Sequence, residues 1–275
     1  MSNPTVCAVM LVNGRPEMVA RAVRAFEAQT YAALRMLIYA SGEEAVEWPV
    51  GHPKVLLWAK PEDHHRTIGD LRNRANLSAV AMSEDSELGP TNIIVHWDSD
   101  DWSHPNRIAE QVALLQASGA ECVGYREMLF WETGVTNCAG LPRAWLYSNP
   151  LPRNILGTSL CYWRKTWEAH PFPDTSKGED TKWLLGLRKV VGVGSLSGPA
   201  QAGEWCYLCE EPKMEPEKDC PNCSGTGHTP RPVDQDPRMI ASIHGGNTCA
   251  RIDPIAREWR RVPEWDEHCR RIMEG

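Results

Sequence analysis

Short apolar runs alternate with segments of helical spacing in the N-terminal part of the chain, and this alternation constrains the fold more than any other sequence feature. The runs at 5–12, 34–42 and 54–59 are continuous and rich in Val, Leu and Ile, which is typical of strands buried on both faces. Helical spacing occupies 18–30 and 67–83. Repeated βαβ units predict an α/β chain with a mostly parallel, Rossmann-like sheet flanked by helices.

An acidic stretch, DSDD, lies at the end of the next predicted strand. The apolar run 92–97 is followed by Asp98, Asp100 and Asp101. Open α/β sheets bind ligands at the carboxyl ends of their strands, so these side chains would stand at the mouth of a site. One alternative is that they cap the helix predicted at 104–118. Three carboxylates this close repel one another, and Mg²⁺ or Mn²⁺ bridging to a diphosphate would relieve that repulsion.

Charge and cysteine usage narrow the remaining classes of protein. The formal net charge of −7 over 275 residues argues against a chain that grips nucleic-acid backbones over a broad basic surface. The first apolar run has no basic segment before it and is far shorter than the ~20 residues that span a bilayer. Ten cysteines without a secretory leader indicate reduced thiols. The expected location is therefore the cytoplasm, without membrane insertion.

Four of the cysteines form two closely spaced pairs. Each pair has the pattern Cys-x2-Cys, and ten residues separate the pairs, which consist of Cys206, Cys209, Cys220 and Cys223. This spacing is typical of two knuckles that close a tetrahedral zinc site. The surrounding segment 198–236 is rich in Gly, Pro and charged residues and could not bury a core of its own. The sequence predicts a structural zinc-knuckle insertion there.

Five motifs follow one another in the order of a known enzyme family. They are VCAVMLVNGRPEMVARAVRAFEAQTY, GDLRNRAN, IIVHWDSDDWSHPNRIAEQVALL, GTSLCYWRKTWE and GEDTKWL. Together they cover roughly residues 5–190 and resemble family 2 glycosyltransferases with the GT-A fold. The resemblance implies a nucleotide-sugar-binding and catalytic core at 1–197. It also implies a C-terminal segment, 237–275, that completes the active site and packs on the core.

The resemblance further implies an activity and a donor site. The activity is metal-dependent transfer of a hexose from a nucleotide diphosphate donor, a UDP-sugar by default, to an acceptor hydroxyl with inversion. Asp98 would contact the ribose or sugar of the donor and, with Asp100, form the site for Mn²⁺ or Mg²⁺. His244 would be a further metal ligand, although a lone histidine is more often structural. The other predicted donor-binding residues are Asn13, Arg15, Arg72, Asn73 and Asn247.

The GED motif carries the predicted catalytic acids. By the same resemblance, Asp180 is the general base that deprotonates the acceptor hydroxyl, and Glu179 orients the base or the acceptor. Alternatively, both acids only compensate the charge of a helix N-terminus. One departure concerns the nucleotide base, because Ser41 stands where the family commonly has an acid that reads uracil. Glu43 or Glu44 would then replace that acid.

The acceptor stays open between a small molecule, a protein, a glycan and a modified DNA base. In the last case the same chemistry would act on hydroxymethylated bases of phage DNA, with the zinc knuckle and aromatic residues holding the duplex or a flipped nucleotide. A hypothesis of another class is a non-catalytic GT-A-like module that docks a partner through its zinc knuckle. The intact DSDD and GED motifs favour catalysis.

Overall fold

The computed structural model describes most of the predicted core and the end of the chain. The described residues are 3–42, 52–83, 87–133, 140–149, 154–196, 237–244, 252, 256 and 258–274. The predicted zinc insertion at 198–236, with its four cysteines, lies outside them, and so do Asn247, Glu43 and Glu44. In the described part of the chain, no helix is both long and apolar enough to cross a membrane.

Within these ranges the chain forms eleven strands and six α-helices. The strands are β1 (Val6–Val12), β2 (Leu34–Ala40), β3 (Val55–Ala59), β4 (Ile93–His96), β5 (Trp102–Ser103), β6 (Cys122–Glu132), β7 (Arg143–Ser148), β8 (Cys161–Trp163), β9 (Val190–Gly194), β10 (Met239–Ile243) and β11 (Trp259–Arg261). The helices are α1 (Pro16–Glu27), α2 (Ile68–Ala81), α3 (Arg107–Ser118), α4 (Arg164–Ala169), α5 (Glu179–Leu185) and α6 (Asp266–Glu274).

The strands join in one sheet whose main path has the order β11-β7-β6-β8-β4-β1-β2-β3. Strands β3, β2, β1 and β4 run parallel to one another. The long β6 pairs antiparallel with β7 and β8 and parallel with β9 and β10. Strands β2 and β4 flank β1 on opposite sides. The order in which successive strands are added to the sheet therefore reverses at β1. Sheets of this kind bind ligands in the crevice at the carboxyl ends of such strands.

Strand β1 is apolar throughout because helices cover both faces of the sheet around it. Val6, Ala8 and Met10 pack in one layer with residues of α1 and α3. The alternate residues Cys7 and Val9 pack in a second layer with residues of α2 and α5. Alternate side chains of a strand point to opposite faces, so a strand covered on both faces loses the polar alternation of a surface strand.

The predicted strands of the first half are confirmed, whereas the tail differs from its prediction. The sequence pattern around Pro263 predicts two helices broken at that proline. Among the described residues, a 3-10 turn at Pro263–Trp265 leads into α6, and Trp259–Arg261, before the proline, pairs antiparallel with β7 as β11. The segment GEDTKWLLGLRKV at 178–190 has a helical sequence pattern with acids in its first turn, but α5 ends before Gly186 and β9 begins at Val190. In the tail, strand pairing overrides a weak helical pattern, whereas α5 ends where Gly186, a poor helix former, follows it.

Candidate active site

Asn13 and Arg15 lie in the loop that joins β1 to α1. Gly14 and Arg15 both have left-handed backbone conformations, with φ of 70° and 63°. This conformation is uncommon for an arginine, and Pro16 then starts α1 with a φ already suited to a helix. The Asn13 carboxamide lies against Gly42, where an added Cβ would stand 2.2 Å from Asn13 Oδ1. The loop therefore borders the exits of both β1 and β2.

Arg15, Asp100 and His244 converge at the carboxyl ends of β1, β4 and β10. Arg15 Nη1 lies 3.2 Å from Asp100 Oδ2 and 2.9 Å from His244 Nε2, and the latter two atoms are 2.9 Å apart. Burial disfavours the charged form of Asp100, but the hydrogen bond with His244 and the charge of Arg15 outweigh it and lower the pKa of this carboxyl. The structure thus brings the predicted late histidine to the predicted metal aspartate.

The Asp100 and His244 atoms are suited to share a divalent cation. His244 Nε2 cannot donate a proton to Asp100 while it accepts one from Arg15, so one of these close contacts lacks a hydrogen bond. Asp100 Oδ2 and His244 Nε2 are 2.9 Å apart, close enough that one cation could contact both atoms. The described residues contain no group of three or more His, Cys, Asp or Glu side chains that could hold a metal. The other ligands would be phosphate and water oxygens, as is usual for Mg²⁺.

The turn that carries the aspartates is fixed from several sides. Arg21 of α1 donates to the Asp100 carbonyl over 2.6 Å. Asp101 is buried and accepts hydrogen bonds from Thr158 Oγ1 at 2.5 Å and from the Ser242 backbone N–H at 3.1 Å. Burial and the carboxylates of the two neighbouring aspartates raise the pKa of Asp101 well above its usual range. Asp101 is therefore a structural link between β4, β10 and the segment before β8.

The alternative that these aspartates cap α3 does not match the structure. The residue before α3 is Asn106, and no side chain caps the helix there. The Asp98 carboxylate instead lies near the Thr158 hydroxyl and the Arg72 guanidinium. Burial raises the pKa of Asp98, while Arg72 opposes the rise. The acidic stretch is thus engaged with residues of the crevice and not with the start of the next helix.

Arg72 connects Asp98 to the GED motif. Its Nε donates to Glu179 Oε1 over 3.3 Å, and both side chains are largely buried. Burial raises the pKa of Glu179, and the Arg72 charge counteracts this effect. Arg72 therefore does not lie on a solvated helix face. It forms a partly buried bridge between Glu179 and the neighbourhood of Asp98.

Asp180 has a different environment from Glu179, although both stand in the first turn of α5. Its Oδ1 accepts the Thr181 backbone N–H at 2.7 Å, which is a local contact at the helix start. Its Oδ2 lies against Gly157, where an added Cβ would be only 2.1 Å away. The Asp180 side chain is half-exposed, whereas Glu179 is buried. Of the two acids, Asp180 is the one open to a substrate.

Asn73 forms hydrogen bonds with Trp167 and Phe172 and, in the described part of the chain, none with the acidic residues of the site. Its Oδ1 accepts hydrogen bonds from Trp167 Nε1 and from the Phe172 backbone N–H, both at 2.9 Å. Its Nδ2 donates to the Phe172 carbonyl at 2.8 Å. These bonds tie α2 to α4 and to the segment that follows it. Ser41, at the end of β2, is buried and donates its backbone N–H to the Val12 carbonyl.

Several buried polar residues lie behind the site and were not predicted from the sequence. Arg107 is fully buried and donates to Ser103 Oγ, Gln111 Oε1 and two backbone carbonyls. His96, at the end of β4, is also buried. Burial, and then the Arg72 charge, lower its pKa well below the usual range, so the ring is neutral. The available signal was the pair Arg107 and Gln111, spaced i,i+4 on the buried face of α3.

Comparisons with known proteins identify the fold. No protein-family model matches the chain, and no curated protein matches it in sequence. The crystal structure of S. aureus TarS 1–349 in complex with UDP-GlcNAc matches 91% of this chain and 62% of its own, with 10% identity and a TM-score of 0.55. A second S. aureus TarS structure matches 69% of this chain and 35% of its own, with 13% identity and a TM-score of 0.51.

The chain has the GT-A glycosyltransferase fold. The predicted fold class is confirmed, and the zinc insertion, which lies outside the described residues, stays a prediction. In both comparisons this GT-A chain covers less than two thirds of the TarS chain. Identity this low shows a shared architecture only. The roles of individual residues therefore rest on the geometry of the site itself.

Proposed function

We propose that the protein is a glycosyltransferase that uses a nucleotide diphosphate sugar, a UDP-sugar by default, and transfers a hexose to an acceptor hydroxyl with inversion. One observation carries the proposal. Asp100 and His244 meet beside the Arg15 loop at the carboxyl ends of β1, β4 and β10, in the crevice where a sheet of this order binds its ligand. The GT-A fold supports the same class of reaction.

The donor side of the crevice would bind the diphosphate. Asp100 and His244 would hold Mg²⁺ or Mn²⁺, which neutralises the charge that develops on the leaving diphosphate. Asp98 would contact the ribose or the sugar, and Arg72 would keep its carboxylate oriented. Arg15, a third exposed, would move from Asp100 to a phosphate oxygen. Asn13, at the exit of β1, would contact the nucleoside.

The acceptor side would supply the base. Asp180 would take the proton of the acceptor hydroxyl as that oxygen attacks the anomeric carbon and the bond to the diphosphate breaks. Glu179, paired with Arg72, would fix the start of α5 and so orient the base. The acceptor would carry its hydroxyl on a small molecule, a protein, a glycan or a hydroxymethylated DNA base.

We also propose one structural zinc in the segment 198–236, bound by Cys206, Cys209, Cys220 and Cys223. Four thiolates in two Cys-x2-Cys pairs suit a tetrahedral zinc site, and binding would supply folding free energy that a polar segment lacks. Elemental analysis of protein purified without chelator should give one zinc per chain, and replacing Cys206 and Cys220 with serine should remove it. Zinc-free parent protein with these cysteines in disulfides would contradict the assignment.

Nucleotide binding is the first test of the proposed function. A thermal-shift screen of UDP, GDP, ADP and CMP with and without Mn²⁺ should show stabilisation by one nucleoside diphosphate that increases with the metal. Binding of a ligand to the native state alone raises the free energy of unfolding by about 2.7 kcal/mol at a hundred times Kd. CMP, which has no diphosphate, is the internal control. Absence of any nucleotide effect at millimolar concentrations would contradict the proposal.

A further inference from the structure

The one-turn 3-10 helix Gly157–Ser159, which precedes β8, has each of its backbone carbonyls bonded to a buried side chain. The bonds are His96 Nδ1 to Gly157 O at 2.7 Å, Arg107 Nη2 to Thr158 O at 3.1 Å and Gln111 Nε2 to Ser159 O at 2.7 Å. The three donors are at most 1% exposed. Buried polar groups are costly unless they are paired, so this concentration indicates that the position of the turn matters.

A buried hydrogen-bond chain fixes the orientation of His96. The Gly157 carbonyl can only accept, so His96 Nδ1 carries the proton of the neutral ring. His96 Nε2 then accepts from the Tyr162 hydroxyl at 3.2 Å, and the Tyr162 oxygen accepts from Asn76 Nδ2 at 2.9 Å. Each member of the chain has one consistent direction of donation. These bonds hold the turn from behind, and among the described residues of this network only Asn76 Oδ1, at the far end of the chain of bonds, has no hydrogen-bond partner.

The front of the same turn touches both groups of acids. The Asp180 carboxylate lies directly against Gly157. A Cβ added at Gly157 would stand only 2.1 Å from Asp180 Oδ2, so the carboxylate occupies space that any other residue would need. Thr158 Oγ1 donates to Asp101, and its hydroxyl also lies near Asp98. The turn therefore stands between the predicted base and the donor-side aspartates. A shift of the turn would change the distance between them.

We propose that the Gly157–Ser159 turn is a positioning element that sets the Asp180 carboxylate relative to the donor site, with Gly157 as the residue on which that carboxylate rests. The inference rests on the proposed transferase function. It assigns a positioning role to Gly157, which has no reactive group. Catalysis requires that reacting groups be held close to their productive geometry, and a misplacement of 1 Å can cost about 10²-fold in rate. A methyl group at Gly157 would cause a displacement of that order.

The test is the variant Gly157→Ala, measured with Mn²⁺ by nucleotide release from UDP-glucose, UDP-GlcNAc and GDP-mannose, with water as the hydroxyl that accepts the sugar and gives its proton to Asp180. We expect release at saturating donor to fall about 10- to 100-fold, while calorimetry shows a Kd for the nucleotide within about twofold of the parent. Gly186→Ala is the matched control. Gly186 is exposed at the end of the same helix as Asp180, and an added Cβ there would meet its nearest neighbour at 3.3 Å.

A double-mutant cycle separates positioning from general damage. If Gly157 acts through Asp180, the variant combining Gly157→Ala with Asp180→Asn should be no slower than Asp180→Asn alone. Independent, multiplicative losses would contradict the proposal, and so would release by Gly157→Ala at the parent rate. A parent protein that releases no nucleotide from any of the three donors, with water or with an added hydroxyl acceptor, would overturn the proposed function itself, and this inference with it.

A second pair of variants keeps the test decisive if Gly157→Ala does not fold. His96→Asn places an amide N–H near the former Nδ1, whereas His96→Gln places one near the former Nε2, and only Nδ1 bonds the turn. We expect His96→Asn to release nucleotide roughly tenfold faster than His96→Gln at equal nucleotide affinity. Equal rates for the two variants would contradict a positioning role for the turn.

Discussion

Replacing Asp100 with alanine should remove the effect of Mn²⁺ on nucleotide binding. Asp100 is one of the two protein groups that would hold the cation, and its Oδ2 lies 2.9 Å from the other, His244 Nε2. Loss of a group that only orients a metal ligand typically costs 10- to 100-fold in metal affinity or activity. Loss of the ligand itself should cost at least as much. In calorimetry, the Kd of UDP for Asp100→Ala should be the same with and without Mn²⁺.

Glu168→Ala is the control for that measurement. Glu168 is a surface carboxylate of α4 that pairs with Arg164, so its removal changes net charge equally and leaves the crevice intact. This variant should keep the parent response to Mn²⁺. Both variants should unfold at temperatures close to the parent, since the contact of Asp100 with Arg15 is only partly buried. If Asp100→Ala binds UDP with the full metal dependence of the parent, the metal site lies elsewhere.

Replacing Asp180 with asparagine should stop transfer and leave donor binding unchanged. Asparagine keeps the size of the side chain and an oxygen that can accept the Thr181 N–H, so the start of α5 should survive. It removes the carboxylate that would take the acceptor proton, and general-base catalysis typically contributes 10²- to 10⁴-fold. Turnover should therefore fall by at least ~10²-fold. The Kd of the nucleotide with Mn²⁺ should remain within about twofold of the parent.

Glu179→Gln is the matched comparison for the base. It removes one negative charge from the adjacent residue, but Glu179 is buried against Arg72 and is not open to an acceptor. We expect a smaller loss of turnover than in Asp180→Asn, together with a lower free energy of unfolding because Arg72 loses its partner. A larger loss in Glu179→Gln, with Asp180→Asn near the parent rate, would transfer the role of base to Glu179.

The sequence predicted the first half of the sheet because its strands are apolar on both faces. Continuous runs such as Val6–Val12 and Leu34–Ala40 have no competing pattern, and turns or helices punctuate them clearly. The short strands at the other end were missed for a physical reason. Trp259–Arg261 has three residues, two of them charged, and it becomes a strand only because β7 offers it an edge. Long-range pairing of this kind leaves little trace in local sequence.

The residues of the candidate site likewise include some that the sequence could predict and some that it could not. Acids that follow the end of a strand, such as Asp98 and Asp100, or that start a helix, such as Asp180, can be found from motif order, because their chemistry is unusual in those places. His96 and Gly157 could not be found, since a single histidine at the end of an apolar strand and a glycine at the start of a short polar turn occur in many folds. Their importance depends on which carbonyl the histidine bonds and which side chain the glycine admits. Both contacts join residues far apart in sequence and become visible only in the three-dimensional structure.

Release of nucleotide from a sugar donor tests the central claim most directly. Parent protein should release free UDP or GDP from at least one of UDP-glucose, UDP-GlcNAc and GDP-mannose. The release should require Mn²⁺ or Mg²⁺, and it should fall to background in Asp100→Ala and by at least ~10²-fold in Asp180→Asn. Metal-dependent nucleotide binding by the parent, with no release above that of Asp180→Asn from any donor or in the presence of any hydroxyl acceptor, would contradict the account. The protein would then be a binding module on a GT-A fold.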